Sequence, residues 1–183
     1  GLANLDLMTD CTQEEKNFIK GQLLFFRAWW HEELIAFYGG MPYVDTVLDG
    51  SQVLTLPRLS YQECAKKCAE DFRAAADLLP NDWDKTTVGK KTLGKNDIRI
   101  TKVCALGYLG KVLLWAASPL NNLGKAEIGA SKNGDTYKYN TELAAQAADA
   151  LAEAIGEVNS GKTPYALAEY KYSNIYDHEA DKS

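Results

Sequence analysis

The sequence predicts an all-α fold in which four helices form two pairs of a helical repeat, joined by long loops. Four segments place apolar residues at spacings of three and four, the period of an amphipathic helix. Each segment begins near a side chain that caps helix N-termini and ends near a glycine or proline. No segment shows a strong strand pattern, and a length of 183 residues suits a single domain spanning 1–183.

The first predicted helix covers residues 12–38. Thr12 and Glu15 form a capping box, in which the hydroxyl accepts a free backbone N–H and the carboxylate accepts another in return. The apolar stripe of this helix consists of Ile19, Leu23, Phe26, Trp30, Leu34 and Phe37, widened by Phe18, Phe25 and Trp29. A stripe this broad suits a helix that contacts neighbours on more than one side. Gly39 favours the left-handed conformation that ends a helix, and Pro42 prevents the helix from resuming.

The second predicted helix covers residues 61–79, starts with a capping box formed by Ser60 and Glu63, and ends at Pro80. Its inner face consists of Cys64, Cys68, Phe72, Ala75 and Leu79. The two cysteines lie one helical turn apart, which is compatible with a metal clip, but zinc sites usually pair cysteines at closer spacing. We therefore interpret both cysteines as small buried residues.

The third predicted helix covers residues 102–117, with Thr101 as its cap. One of its faces consists of Leu106, Leu109, Leu113 and Ala117, and another of Tyr108, Val112 and Trp115. Apolar residues on two faces indicate a helix packed between neighbours. The fourth predicted helix covers residues 142–158, is capped by Asn140 or Thr141, and is rich in alanine, which allows close approach of another helix.

The run ALGYLG at residues 105–110 resembles the first helix of a tetratricopeptide (TPR) unit, where small residues let two helices pack closely. Helix pairs stacked side by side are the arrangement of a helical solenoid. The connections at 39–59 and 118–140 are far longer than TPR turns, and loops of this length usually have a function or act as linkers. The predicted fold is therefore TPR-like, with long connecting loops.

Charge and hydropathy exclude two classes of partner. The net charge of -5 is mild and argues against nucleic acid, because phosphate binding needs a concentrated basic surface. No apolar stretch approaches the ~20 residues that cross a bilayer. The first residues lack a signal peptide, so either the protein is cytoplasmic or its targeting signal has been removed. The polar run at residues 177–183 is as typical of an excised piece as of a natural end, and we expect a fragment of a longer chain.

Two segments approach catalytic motifs and fail at decisive positions. The run GKKTLGKN at residues 89–96 fits a P-loop until Asn96, which stands where a Ser or Thr hydroxyl holds magnesium. Because no buried strand precedes it, we interpret this segment as a basic, solvated loop. The run HEELI at residues 31–35 begins like a zinc-protease helix but has Ile35 in place of a second histidine. The sequence therefore predicts no enzyme activity, no metal site and no cofactor.

Aromatic residues are the candidates for ligand binding, because sugars stack their apolar faces on flat rings. Of the four tryptophans, Trp29, Trp30 and Trp115 lie on helix stripes, where core packing is the favoured interpretation. Trp83 lies between two aspartates in a polar linker and is the candidate ligand-binding residue, although packing over the end of the second helix is favoured. A set of tyrosines near the C-terminus is compatible with an interdomain contact: Tyr137, Tyr139, Tyr165, Tyr170, Tyr172 and Tyr176.

Three blocks of sequence, in matching order and spacing, resemble the SusD/RagB family. They are FRAWWH and FYGGMPY at residues 26–31 and 37–43, then RLSYQE, DFRAA and DLLP at 58–63, 71–75 and 77–80, then RITK and KVLLWAASP at 99–102 and 111–119. The resemblance covers residues 12–176. Within these blocks we expect scaffold roles, with Arg27 satisfying loop carbonyls and Arg58 flanking a helix start.

The resemblance implies a non-catalytic, lipid-anchored protein at the outer face of the outer membrane of a Gram-negative bacterium. Members of the family bind glycans, such as starch-type oligosaccharides, or other nutrients and cover a SusC-like TonB-dependent transporter. Since they are much longer than this chain, the resemblance implies that these residues supply the TPR scaffold, while the lipid anchor and most ligand contacts lie elsewhere. The alternative is a TPR-type protein–protein interaction module without a small-molecule ligand.

Overall fold

The structure, a computed structural model, describes residues 1–51, 55–121 and 139–166. Within these ranges the chain contains helices, short 3-10 turns and loops, and no strand. The long helices are α1 (Gln13–Tyr38), α2 (Tyr61–Leu78), α3 (Lys102–Ala117) and α4 (Thr141–Asn159). These bounds agree with the predicted ones to about one residue at each end, and the all-α fold class is confirmed.

The helices pack in chain order. α1 packs against α2, α2 against α3, and α3 against α4, while α1 makes only a small contact with α3. Each helix therefore contacts mainly its neighbours in sequence, which is the stacking pattern of a helical repeat. This arrangement confirms the TPR-like prediction of two helix pairs.

The predicted capping boxes start α1 and α2. The Thr12 hydroxyl accepts the Glu15 N–H at 3.2 Å, and the Glu15 carboxylate accepts the Thr12 N–H at 2.8 Å. Ser60 and Glu63 make the same pair of bonds at 3.2 and 2.7 Å. Of the two residues considered for α4, Asn140 is the cap. These bonds satisfy N–H groups that a helix N-terminus leaves without an intrahelical partner.

The core lies between the stacked helices. The predicted inner face of α2 is buried, with side chains at most 5 % exposed, and the Leu106 face of α3 is at most 6 % exposed. Both cysteines of α2 are fully buried, as expected for small core residues. Phe72, the largest of the fully buried side chains among the described residues, packs against the rings of Phe25 and Tyr108, with centroids 5.4 and 5.7 Å away.

The outward side of α1 departs from the prediction. The buried face of α1 consists of Phe18, Gly21, Leu24, Phe25, Ala28, His31, Glu32 and Ile35. Most of the predicted stripe faces outward instead. Two small residues, Gly21 and Ala28, lie on the buried face and let α2 approach closely. The broad stripe suggested neighbours on several sides, but among the helices of the described residues α1 packs mainly against α2, and its other contacts include the first long loop, Trp83 and a small part of α3.

The long connection after α1 is fixed close to the helix end. Gly39 ends the helix with a φ of 70°, a positive value that favours glycine, although its ψ of -151° lies outside the left-handed helical conformation that we expected. Arg58, at the far end of the connection, donates from Nε to the Gly40 carbonyl at 2.6 Å and from Nη2 to the Tyr38 carbonyl at 3.2 Å. The expected scaffold role of Arg58 is therefore observed. Most of the connection before α4 lies outside the described residues.

Candidate functional site

The outward face of α1 carries a row of exposed apolar side chains, which we call the aromatic face. It consists of Phe26, Trp30, Leu34 and Phe37, which are 43, 60, 38 and 78 % exposed. Their spacing of four, four and three residues places them along one side of the helix. Behind the row, the Trp29 ring lies 4.7 Å from the ring of Trp30 and 6.4 Å from that of Phe26, both edge to face. Aromatic contacts thus connect the exposed rings to the core.

The exposure of two tryptophans, one on the aromatic face and one on α3, corrects the interpretation made from the sequence. Core packing was expected for Trp30 and Trp115, yet their side chains are 60 and 55 % exposed. Trp29 alone of the three packs against the core. A contiguous apolar surface of this kind marks a contact site in soluble proteins, because exposing it to water is unfavourable.

A buried ionic cluster anchors the first long loop to α1 and α2. Arg27 donates from Nε and Nη2 to both carboxylate oxygens of Asp71, each at 2.6 Å, and from Nη1 to the Asp45 carbonyl at 3.2 Å. The Tyr43 hydroxyl donates to Asp71 at 2.8 Å. The hydrogen bonds with Asp71 raise the pKa of Arg27, and burial raises that of Tyr43. The expected contact of Arg27 with a loop carbonyl is observed, but the carboxylate partner was missed.

His31 belongs to the same anchor. Its Nε2 accepts the Val44 N–H at 3.0 Å, so the proton lies on Nδ1, which donates to the Arg27 carbonyl at 2.7 Å. The ring also stacks on Tyr43, with centroids 3.9 Å apart. Both ring nitrogens therefore bind the backbone, and neither is available for a metal or a substrate. His31, the residue that begins the partial zinc-protease pattern, therefore serves to hold the first long loop against α1.

Trp83 is buried, at 2 % exposure, so it is not the exposed platform considered from the sequence. Its Nε1 donates to the Ile100 carbonyl at 2.8 Å, and its ring meets that of Phe18 at 5.0 Å. The Arg99 guanidinium lies over the ring, 4.8 Å from its centroid. A cavity of about 320 Å³ adjoins these residues, lined also by Asp10, Cys11, Glu15, Ile19, Gln22 and Val88. The contact with Phe18 was not predicted, because Phe18 is distant in sequence and the residues next to Trp83 are polar.

The segment with the partial P-loop pattern is largely exposed, as expected, but it contains a short 3-10 helix at Gly89–Thr92 and internal hydrogen bonds. Asn96 is buried, accepts the Thr92 hydroxyl at 2.8 Å and donates to the Gly89 carbonyl at 3.0 Å and to Asp84. The Gly89 N–H is taken by the Thr86 hydroxyl at 2.9 Å. Asn96 therefore organises the turn internally, and its position in the pattern reflects structure rather than magnesium binding.

The described residues include no group of three or more His, Cys, Asp or Glu side chains placed to hold a metal ion. Burial raises the pKa of Cys68, which keeps the thiol protonated.

Among the described residues, no helix combines the length and apolar character needed to span a membrane. Of the tyrosine cluster, Tyr139 is 70 % exposed and the Tyr165 hydroxyl lies 3.4 Å from that of Thr101; the others lie outside the described residues.

Together these features define a class of protein, a stacked helical scaffold whose first long loop is anchored by buried polar groups and whose first helix presents aromatic rings. A SusD-like family model, described as starch-binding and associating with the outer membrane, matches residues 2–114. Since the match covers more than half of the 183 residues, the chain belongs to this SusD-like family. The three sequence blocks had predicted this membership.

Solved structures of similar fold include surface glycan-binding protein A from Bacteroides uniformis, with 18 % identity, a TM-score of 0.62, and coverage of 100 % of this chain and 32 % of that one. A SusD-like carbohydrate binding protein from Bacteroides vulgatus has 20 % identity, a TM-score of 0.56, and coverage of 92 % and 29 %. A third, from Bacteroides fragilis, has 21 % identity, a TM-score of 0.53, and coverage of 81 % and 24 %.

At these identities the likeness shows the fold alone. The chain spans between 24 and 32 % of the length of these three structures. Among curated proteins, none matches the chain.

Proposed function

We propose that this chain is the helical scaffold of a longer, non-catalytic carbohydrate-binding protein of the outer membrane. The observation that carries the proposal is the match of residues 2–114 to a family described as starch-binding and associating with the outer membrane. The similar structures support the same class of ligand, since two are named carbohydrate binding proteins and one a glycan-binding protein. The proposed ligand is a starch-type oligosaccharide or another glycan.

The geometry supports a scaffold role for these residues. The candidate Trp83 has a guanidinium over its ring and only 2 % exposure, which leaves no room for a sugar to stack. The aromatic face of α1 has exposed rings, but hydrogen-bonding groups that would orient sugar hydroxyls are sparse along it, because three of its four members are Phe or Leu. We therefore propose that most ligand contacts lie outside this chain, and that the aromatic face supports the rest of the longer protein.

Calorimetric titration with starch-type oligosaccharides tests the carbohydrate proposal. The full-length polypeptide that contains these residues is expected to bind, and the 183-residue chain alone is expected to bind far more weakly. Trp83→Phe in the full-length protein keeps the ring in the core and is expected to leave the affinity unchanged. Absence of binding to every glycan tested, or release of shorter sugars during incubation, would contradict the proposal.

The family also supports a proposed partner and location: a SusC-like TonB-dependent transporter, with the protein lipid-anchored on the outward side of the membrane. Affinity purification of the full-length protein from detergent-solubilised outer membranes is expected to recover such a transporter in about equal amounts. A tagged outer-membrane lipoprotein of unrelated fold is the control. Recovery of equal amounts of transporter with the control, or none with the protein, would overturn this partner.

A further inference from the structure

Two contacts of different chemistry hold neighbouring parts of the first long loop. In one, the Cys64 thiol donates to the Met41 carbonyl at 3.0 Å, and the Leu59 N–H donates to the same carbonyl at 3.3 Å. In the other, the Val44 N–H donates to Nε2 of His31 at 3.0 Å. Burial raises the pKa of Cys64, so the contact at Met41 keeps its donors at neutral and mildly acidic pH. Only the contact at Val44 involves an imidazole.

The contact at Val44 requires a neutral ring. Nδ1 of His31 faces the Arg27 carbonyl at 2.7 Å, which can only accept, so this nitrogen carries the proton. Nε2 faces the Val44 N–H, which can only donate, so this nitrogen carries none. A second proton on the ring would set two N–H groups against each other, and the Val44 N–H would lose its acceptor. Because His31 is 8 % exposed, water has little access to replace that acceptor.

The charged groups around His31 offer little compensation for an imidazolium. The carboxylates of the anchor, and the one next to His31 on α1, already have cations: Asp71 binds Arg27 at 2.6 Å, Asp45 binds Lys67 at 3.2 Å, and Glu32 binds Lys111 at 2.9 Å. The Tyr43 ring stacks on the imidazole and attracts cations, but Lys67 already lies 5.5 Å from the centre of that ring. Burial raises the pKa of Tyr43, so its hydroxyl stays neutral and adds no negative charge.

We propose that His31 is a pH-sensitive switch, which holds the first long loop when its ring is neutral and loosens it at Val44 in mild acid. An imidazole free in water takes up a proton near about pH 6.5. The closed loop excludes this proton and the loosened loop admits it, so acid favours the loosened state. The ratio of loosened to closed loop rises up to about tenfold for each pH unit below about 6.5.

The switch acts locally and is independent of the carbohydrate proposal. Arg27 also binds the next carbonyl, that of Asp45, at 3.2 Å, and the contact at Met41 contains no histidine. Protonation therefore loosens the backbone around Val44 while the start of the loop stays fixed against α2. The loop thus has a fixed part and a part that responds to the acidity of the medium.

Amide hydrogen exchange of the whole chain, followed by NMR and corrected for the intrinsic rate at each pH, tests the switch. Protection of the Val44 N–H is expected to fall about 30-fold between about pH 7.5 and about pH 5, as one proton taken up near about pH 6.5 requires. The Leu59 N–H belongs to the same loop but donates to a backbone carbonyl, so its protection is expected to stay constant. Constant protection of Val44 in the wild type would overturn the switch.

Two variants separate the switch from a merely structural role of His31. His31→Gln has an amide oxygen that can accept the Val44 N–H and takes up no proton, so protection of Val44 is expected to persist and to lose its pH dependence. His31→Phe keeps a ring against Tyr43 but has no acceptor, so Val44 is expected to be unprotected throughout. An equal fall in the wild type and in His31→Gln would contradict the proposal. Amides of α2 and α3 show whether each variant is folded, and for an unfolded variant the wild-type profile, with Leu59 as its internal control, decides.

Discussion

α1 and α2 form one helix pair, yet they distribute their apolar residues in opposite ways. α2 concentrates them on the buried face, and its exposed side carries charged residues such as Lys66, Glu70 and Asp77. α1 buries one apolar face and exposes a second, with Phe37 78 % and Trp30 60 % exposed. Packing of α1 against α2 accounts for their buried faces but not for the exposed apolar side of α1. The exposed rings of α1 fit the proposed contact with the rest of the longer protein, whereas the charged outward side of α2 suits contact with water.

The largest effect is expected from truncating the buried aromatic residue of α2. Phe72→Ala removes a fully buried ring that packs on Phe25 and Tyr108, and is expected to lower the free energy of unfolding by about 3–5 kcal/mol. Phe37→Ala makes the same chemical change on the aromatic face, where a change within about 0.5 kcal/mol is expected. Urea denaturation followed by circular dichroism measures both. Similar losses at the two positions would show that the aromatic face is packed in the isolated chain.

A smaller effect is expected where α1 and α2 share the ionic anchor. Arg27→Met leaves the Asp71 carboxylate, 11 % exposed, with only the Tyr43 hydroxyl, and is expected to cost about 2–3 kcal/mol. Lys67→Met removes the neighbouring ion pair with Asp45, whose side chains are 41 and 42 % exposed, and is expected to cost less than about 1 kcal/mol. Thermal unfolding of both variants at equal concentration tests the ranking; equal midpoints would contradict it.

The start of α2 gives a third test. Ser60→Ala removes a helix cap and is expected to cost about 1 kcal/mol near neutral pH. The hydrogen bonds from Ser60 lower the pKa of Glu63 below its ordinary value of 4.5. The stability that this carboxylate contributes is therefore present above pH 4.5 and is lost as the pH falls through the lowered value. The difference between variant and wild type is expected to narrow in acid. Denaturation at about pH 7 and about pH 3 checks the sign, and a difference that widens in acid would contradict the capping box.

The smallest effect on stability is expected at Trp30, the exposed tryptophan of α1. Trp30→Gln is expected to change the free energy of unfolding by less than about 0.5 kcal/mol, because the side chain is 60 % exposed. The same change is expected to reduce binding of a hydrophobic dye to the native chain, since it interrupts the row between Phe26 and Leu34. Lys20→Gln, an exposed position on the same helix, is the control. Unchanged dye fluorescence would show that the aromatic face is not an open apolar surface.

Features decided by local sequence were predictable, and those decided by distant partners were not. The capping boxes depend on residues three positions apart, so Thr12 with Glu15 was evident from the sequence. The Arg27–Asp71 pair joins residues 44 apart, and neither residue reveals its partner. α1 has two apolar faces, and periodicity alone does not decide which is buried. Gly21 and Ala28 lie on the buried side, where small residues permit close packing, whereas the larger aromatic residues form the exposed side.

In the candidate site, too, local features were predictable and contacts between distant residues were not. The family was recognisable from three blocks of sequence, because such blocks are local. The groove of about 580 Å³ between α2, α3 and α4 brings together side chains from three helices, and no pattern within one of these helices predicts it. The burial of Trp83 depends on Phe18 and Arg99, on either side of it in the chain, and the polar residues next to it suggested the opposite.

The unequal burial of the tryptophans has a spectroscopic consequence. Trp83 donates its indole N–H to a carbonyl inside the protein and lies under a guanidinium, whereas Trp30 and Trp115 are in contact with water. Emission from the buried indole lies at shorter wavelength and resists quenching by iodide, while the two exposed indoles emit at longer wavelength and are quenched. Comparing emission spectra of the unlabelled chain with and without iodide therefore distinguishes its interior from its surface.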